Sequence, residues 1–159
     1  MAFGFPLFVD VVDNNCLVIG GGSVAAEKAQ VFLLFGAKVT VISPTLCPAL
    51  KQLDAEEKIR YIPRRYFRGD CANAFLCVAA TDDEAVNIAI AQECKSRKIP
   101  VYVAKPEIYG SFRFPNVVHT RSVTLAMSDS LEPQVSQALC RDLAQSLPSM
   151  LEKASDQNK

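Results

Sequence analysis

The chain has 159 residues, half of them apolar, and its 17 basic side chains are balanced by 17 acidic ones. This length suits one domain, or one domain with a small appendage, that buries its own core. The balanced charge argues against nucleic acid and membrane surfaces as partners, and no apolar run approaches the roughly 20 residues that span a bilayer.

The N-terminal residues and the cysteines indicate in which cellular compartment the protein is expected. Residues 1–6 lack the basic and apolar regions of a signal peptide. The six cysteines show no C-x-x-C spacing, and His119 is the only histidine, so the sequence predicts no metal site. We expect reduced thiols in a cytoplasmic protein, with Cys16 and Cys77 as small apolar residues inside strands.

The most informative segment joins a predicted strand to a predicted helix. Apolar residues 16–19 run into Gly20, Gly21 and Gly22. In a dinucleotide-binding turn, Gly20 permits the tight turn, Gly22 lets a pyrophosphate approach the backbone, and Ala25 lets the helix pack against the strand. The helix N-terminus would then hold the phosphates. The alternative is a glycine turn that binds nothing.

Strands and helices alternate through the first two thirds of the chain. The pattern predicts further strands at 38–42, 59–62, 74–80 and 99–104, with helices between them. Thr81, Asp82 and Asp83 are the candidates for the cap of the helix after the strand at 74–80. Strands separated by helices imply right-handed crossovers and a parallel sheet. Residues 1–105 are therefore predicted to form a nucleotide-binding domain.

The pattern changes after residue 105. Predicted strands at 111–118 and 123–127 have no helix between them, which indicates an antiparallel extension. A helix is predicted to start at Glu132-Pro133. Its predicted apolar face comprises Val135, Ala138, Leu139 and Leu143. We assign 106–147 to this second region and 148–159 to a polar tail, frayed or truncated.

Four segments occur in an informative order: FPLFVDV from Phe5, CLVIGGGSVAAEKAQVFLLFGAKVTVISPTL from Cys16, FLCVAATDDEAVNIAIAQEC from Phe75 and SFRFPNVV from Ser111. Together they resemble the precorrin-2 dehydrogenase family, which also forms the N-terminal module of siroheme synthase. The resemblance covers the chain from Phe5 to about Leu147. It implies an α/β fold: a Rossmann-type NAD(P)-binding parallel sheet, a small dimerisation region and a short C-terminal helical segment.

The resemblance also implies an activity and its partners. Family members use NAD to oxidise precorrin-2, a tetrapyrrole, to sirohydrochlorin in siroheme synthesis, and some also insert Fe²⁺. We therefore expect NAD as cofactor, a precorrin-2-like tetrapyrrole as substrate and a homodimer. Whether this chain has the chelatase activity is left open by the sequence.

Cofactor-binding residues carry over from the family by position. The phosphate-binding residues would be Gly20, Gly21, Gly22, Ser23 and Val24, next to the packing residue Ala25. The residues beside the adenosine ribose would be Ser43, Pro44 and Thr45. A third group, Ala80, Thr81 and Asp82, would lie at the end of the fourth strand. An acidic residue is expected after the second strand to bind the ribose hydroxyls, and none is present there. The choice between NAD and NADP therefore stays open.

The catalytic position departs from the family. The family places an aspartate, its proposed general base, where this chain has Lys105. A lysine side chain is positively charged near neutral pH and does not accept a proton there. Glu107 and His119 are the other candidates for a base, and Lys105 could pair with a substrate carboxylate. A family loop rich in glycine is also replaced by residues 128–133. The alternative function is a non-catalytic tetrapyrrole- or dinucleotide-binding carrier or partner subunit.

Overall fold

The computed structural model describes residues 5–128 and 131–156. The chain divides into two compact units, one from Phe8 to Phe114 and one that comprises the residues before Phe8 and those from Pro115 onward. The first unit contains β1 (Asn15–Ile19), α1 (Ser23–Leu34), β2 (Lys38–Ile42), α2 (Pro48–Ala55), β3 (Ile59–Ile62), β4 (Leu76–Ala79), α3 (Glu84–Ser96) and β5 (Val101–Val103). The second contains β6 (Asn116–His119), β7 (Thr124–Met127) and α4 (Pro133–Asp156).

The first unit is built on a five-stranded parallel sheet. Its strand order is β3-β2-β1-β4-β5, and every neighbouring pair is parallel. The chain runs outward from β1 to β3 and then crosses to β4, so the direction of winding reverses between β1 and β4. Ligands of open α/β sheets bind at the carboxyl ends of the strands at such a reversal. The predicted Rossmann-type fold is confirmed.

Alternating strand residues supply two cores, one on each face of the sheet. Cys16 and Val18 face a cluster that includes the buried alanines and Phe32 of α1. Leu17 and Ile19 face a second cluster on the α3 side. Burial of a Val, Leu or Ile side chain contributes about 1.5–3 kcal/mol, so these strand interiors supply much of the stability of the sheet. The predicted burial of Cys16 and Cys77 is confirmed.

The segment after β5 corrects one strand prediction. Residues 111–114, predicted as part of a strand, form none, and β6 begins only at Asn116. Ser111 instead bonds to β5: its N–H donates to the Val101 carbonyl at 2.7 Å, and its Oγ accepts from the Val101 N–H at 2.8 Å. Phe114 then packs on Phe32 and Tyr102, with ring centroids 5.3 and 5.2 Å apart. Aromatic packing therefore replaces strand pairing here.

The second unit is an antiparallel hairpin covered by a helix. β6 and β7 are antiparallel, as the sequence predicts, and they pair from Asn116↔Met127 to His119↔Thr124. The Asn116 side-chain amide donates to the Ser136 hydroxyl at 2.6 Å. Val118 of β6 and Leu147 of α4 are buried, which attaches the helix to the hairpin.

Helix α4 differs from its prediction in face and length. Val135 and Leu139 are exposed, and the buried and half-buried positions are Ser136, Ala138, Cys140, Leu143, Leu147 and Leu151. The helix also continues through Pro148 to Asp156, so the tail predicted from 148 is helical as far as 156. A proline removes one intrahelical hydrogen bond, but the four-residue spacing of the leucines continues past it. None of the helices within the described ranges is long and apolar enough to cross a membrane.

Candidate cofactor site

The glycine turn lies at the carboxyl end of β1, where the winding of the sheet reverses. Gly20 has a φ of 129°, and a Cβ atom there would come within 2.1 Å of the Ala80 carbonyl oxygen. A Cβ on Gly21 would come within 1.8 Å of the Thr45 carbonyl oxygen. These two glycines are therefore required by packing between the turn and the loops after β2 and β4.

Gly22 differs from its two neighbours. A Cβ atom at Gly22 would meet no atom within 4 Å. Gly22 is also the N-cap of α1 and provides no side-chain cap, while its carbonyl accepts the Ala26 N–H at 3.0 Å. The first N–H groups of a helix lack intrahelical partners and point outward with the positive end of the dipole. This geometry leaves room for an anion at the start of α1.

Residues 23–25 continue the turn into the helix. Ser23 and Val24 are exposed at the first turn of α1, and Ala25 is completely buried. The small side chain at Ala25 lets α1 lie close to the sheet, as the sequence predicts. Backbone N–H groups and space, rather than charged side chains, are what this turn offers a phosphate.

The loop after β2 lies against the glycine turn. The Cys47 N–H donates to the Gly21 carbonyl at 2.7 Å, and Ser43 is buried beside Gly21. Pro44 and Thr45 are exposed and border a cleft of about 350 Å³. The other residues of this cleft are Leu46, Lys51, Asp54, Ala55 and Tyr61.

Asp54 was not singled out from the sequence because it lies on α2 rather than directly after β2. Asp54 lines the same cleft as Pro44 and Thr45. A carboxylate accepts hydrogen bonds from hydroxyl groups. Asp54 can therefore accept the hydrogen bonds of ribose hydroxyls that an acidic residue after β2 would accept. The positively charged Lys51 lines the same cleft.

The loop after β4 is held by a buried asparagine. Asn87 is fully buried. Its Oδ1 accepts the Thr81 N–H at 3.0 Å and the Thr81 hydroxyl at 2.8 Å. Its Nδ2 donates to the carbonyls of Thr81 and Lys105, each at 3.0 Å. Asn87 thus links the loop after β4 to the loop after β5.

Sequence reasoning missed Asn87, although a signal was present. Asn87 occupies the buried stripe of α3 together with Ile90, Ala91 and Cys94, so a polar residue faces the core. A buried amide requires hydrogen-bond partners. Here those partners are the loop backbones at the carboxyl edge of the sheet.

The structure selects one of the candidates for the helix cap in this loop. Asp83, rather than Thr81 or Asp82, caps α3, because its Oδ1 accepts the N–H groups of Ala85 and Val86 at 2.9 and 3.3 Å. Asp82 is exposed beside it, and Ala80 is half-buried.

The three candidates for a catalytic base do not share one unit. Lys105 and Glu107 are exposed in the first unit, just after β5. His119 is in the second unit at the end of β6, with its Nδ1 2.8 Å from the Thr124 hydroxyl. Lys105 comes two residues after the end of β5, so of these side chains it lies nearest in the chain to the carboxyl edge of the sheet.

The cysteines are all free, but three of them meet. The Sγ atoms of Cys71, Cys77 and Cys94 lie within 4.8 Å of one another. Their sequence spacing gives no hint of this, because they belong to a 3₁₀ turn (Asp70–Asn73), a strand and a helix. The group lies on the α3 side of the sheet and contributes nothing to the glycine turn.

Three comparisons with known proteins agree with this architecture. A family model described as "Putative NAD(P)-binding" matches residues 7–116. The chain is 40% identical over 125 residues to a siroheme synthase of Thioalkalivibrio sulfidiphilus, covering 78% of this chain and 25% of that protein. It is 42% identical over 127 residues to a siroheme synthase of Nitrosospira multiformis, covering 77% and 27%. The chain thus spans about a quarter of the length of these relatives.

A solved structure shares this fold. The structure of "SirC, precorrin-2 dehydrogenase" superposes with a TM-score of 0.73 at 27% identity, covering 90% of this chain and 71% of that one. The family model, which matches residues 7–116, includes both the glycine turn and the parallel sheet. The chain therefore belongs to this NAD(P)-binding family, and its resemblance to the precorrin-2 dehydrogenase family is confirmed.

Proposed function

We propose that this chain is an NAD-dependent dehydrogenase that oxidises precorrin-2 to sirohydrochlorin in siroheme synthesis. The observation that carries the proposal is the open backbone at Gly22, at the start of α1 and at the reversal of the sheet. Siroheme synthases at 40–42% identity and a precorrin-2 dehydrogenase of the same fold supply the substrate class.

The residues present fit a dinucleotide. Gly20 and Gly21 hold the turn in shape, and the N–H groups from Gly22 to Val24 would bind the pyrophosphate. Ser43, Pro44 and Thr45 would border the adenosine ribose, with Asp54 available to accept from its hydroxyls. Ala80, Thr81 and Asp82 would lie along the path toward the nicotinamide. When bound, NAD supplies the hydride acceptor of the reaction.

The contribution of the chain itself is positioning and charge. Asn87 holds the backbones of Thr81 and Lys105, so the two loops that would flank the reacting ring keep a defined separation. The exposed ammonium of Lys105 would pair with a carboxylate of the polyacidic tetrapyrrole. The proton released on oxidation would then pass to Glu107 or water, since a charged lysine does not accept it.

We also propose that the second unit forms a homodimer interface. Val135, Leu139 and Met150 of α4 are exposed by 53, 39 and 56%. Exposed apolar side chains grouped on one helix are typical of an interaction surface. A second copy of the chain would cover them in a symmetric pair.

The test is a rate comparison with precorrin-2 and NAD⁺, following the formation of NADH by its absorbance. The parent, Lys105→Asp, Glu107→Gln and His119→Ala would be compared, with Lys95→Asp, an exposed lysine of α3, as the matched control. We expect turnover by the parent. For Lys105→Asp we expect a higher kcat, since general-base assistance contributes about 10²–10⁴-fold, together with a higher KM because the ion pair with the substrate is lost.

Two outcomes would contradict this function. If NAD⁺ and precorrin-2 both bind but none of the proteins forms NADH, the chain is the non-catalytic carrier or partner subunit. If NAD⁺ does not bind at all, the assignment of the glycine turn is wrong.

A further inference from the structure

Three cysteine thiols form a closed cluster on the α3 side of the sheet, away from the proposed cofactor site. Cys71, Cys77 and Cys94 are all completely buried. The Sγ atoms of Cys71 and Cys77 are 4.0 Å apart, and all three Sγ atoms lie within 4.8 Å of one another. The cluster thus joins three elements: the turn Asp70–Asn73, β4 and α3.

The spacing of the sulfur atoms suits a single bound ion. Sulfur ligands lie about 2.3 Å from an ion such as zinc, which separates neighbouring sulfurs by roughly 4 Å. The Sγ atoms of Cys71 and Cys77 are already at that separation, and the other two pairs are no more than 4.8 Å apart. Thiolates prefer soft ions.

The number of available ligands limits which ions the three cysteines can bind. Within residues 5–128 and 131–156, no fourth His, Cys, Asp or Glu joins this group. Structural zinc is almost always held by four protein ligands. The side-chain oxygens of the neighbouring Glu93 are occupied, because they accept from Tyr66, Gly69 and Arg97. An ion satisfied by three sulfur ligands therefore fits better than zinc.

The surroundings favour a complex without net charge. The thiols lie among buried apolar residues such as Leu17, Ile90 and Val101. Burying a net charge there is costly. A trivalent ion is neutralised by three thiolates, whereas a monovalent or divalent ion leaves a negative complex.

We propose that Cys71, Cys77 and Cys94 form a binding site for a trivalent thiophilic metalloid, represented by arsenous acid. In the binding step three S–H bonds and three As–O bonds break, three As–S bonds form and three water molecules leave. Arsenic stays trivalent, so no oxidant or reductant is consumed. Cys47 and Cys140 are isolated half-buried thiols, and each can form only one such bond.

The test uses the whole chain and sodium arsenite as the probe. Native mass spectrometry should show one arsenic per chain, with the loss of three hydrogens, and X-ray absorption at the arsenic edge should show three sulfur ligands. Cys77→Ala and Cys94→Ala should each lose this adduct. Cys16→Ala, which removes a buried thiol from the opposite face of the sheet, should retain it.

Several results would overturn the proposal. They are the absence of an adduct, one or two sulfur ligands per arsenic, or an adduct that survives in Cys77→Ala. Tighter retention of Zn²⁺ than of arsenic by the parent would also overturn it. Where a variant fails to fold, the sulfur count in the parent decides alone. None of these measurements depends on NAD or precorrin-2, so they are independent of the proposed dehydrogenase activity.

Discussion

Replacement of Gly22 by valine should separate cofactor binding from folding. Gly22 has φ −85° and ψ −172°, an extended conformation that valine adopts readily, and a Cβ atom there meets nothing within 4 Å. The remaining cost is the replacement of a glycine N-cap by a poorer one, about 1 kcal/mol or less. We therefore expect the folded protein to persist.

The Gly22→Val change should weaken NAD⁺ binding by more than it lowers the stability of the fold. The valine side chain would occupy the space through which a pyrophosphate reaches the N–H groups at the start of α1. A hydrogen bond to a charged group contributes about 1.5–3 kcal/mol, and 1.4 kcal/mol corresponds to tenfold in affinity. Loss of a single such bond should raise Kd by roughly 10- to 100-fold.

Calorimetry with NAD⁺ and urea unfolding would measure the two effects on the same protein. The matched control is Gly21→Ala, whose Cβ would lie 1.8 Å from the Thr45 carbonyl oxygen. That contact must be relieved by backbone movement, so we expect a stability loss of about 1–3 kcal/mol. Unchanged NAD⁺ affinity in a folded Gly22→Val protein would refute the assignment of the phosphate site.

Three other predictions concern the supporting structure. Asn87→Leu should lower the free energy of unfolding by about 2–4 kcal/mol, because it leaves half-buried backbone groups of Thr81 without their hydrogen bonds; an effect no larger than that of Gln92→Leu, on the exposed face of α3, would contradict this. The pKa of Glu93 is lowered: desolvation opposes the shift, and hydrogen bonds from Gly69, Tyr66 and Arg97 outweigh it. The stability from this ionised carboxylate is present above the unfolded-state pKa and is lost as pH falls through the lower folded-state value. The urea midpoint of the parent should therefore exceed that of Glu93→Gln at pH 7, and the two midpoints should lie closer together at pH 3. Light scattering should show a dimer that Leu139→Glu converts to a monomer, and a monomeric parent at micromolar concentration would remove the proposed interface.

Much of the site could be predicted from local sequence. The strand 16–19, the three glycines and the helix behind them indicate a dinucleotide turn because turn geometry and helix start depend on neighbours in the chain. The alternation of strands and helices likewise predicts a parallel sheet, because a helix between two strands returns the chain to the edge where the previous strand began. The order of four segments identified the family.

The second unit was predicted less completely. Its hairpin was expected from two apolar runs without a helix between them, and β6 and β7 confirm it. The face of α4 was not, because Val135 and Leu139 fit a helical stripe as well as Leu143 and Leu147 do. Only the position of β6 beneath the helix decides which leucines are buried.

Contacts between residues far apart in the chain were decided by the tertiary structure alone. The sequence by itself assigned Gly20 to a tight turn and Gly22 to the approach of a pyrophosphate, but it did not show which atoms exclude a side chain at Gly20 and Gly21. The fold brings the Ala80 and Thr45 carbonyls against the first two and leaves the third open. In the same way, the stacking of α3 on the sheet unites three cysteines that are 6 and 17 residues apart. Local patterns reflect backbone preferences, whereas such contacts exist only once the strands have taken their order in the sheet.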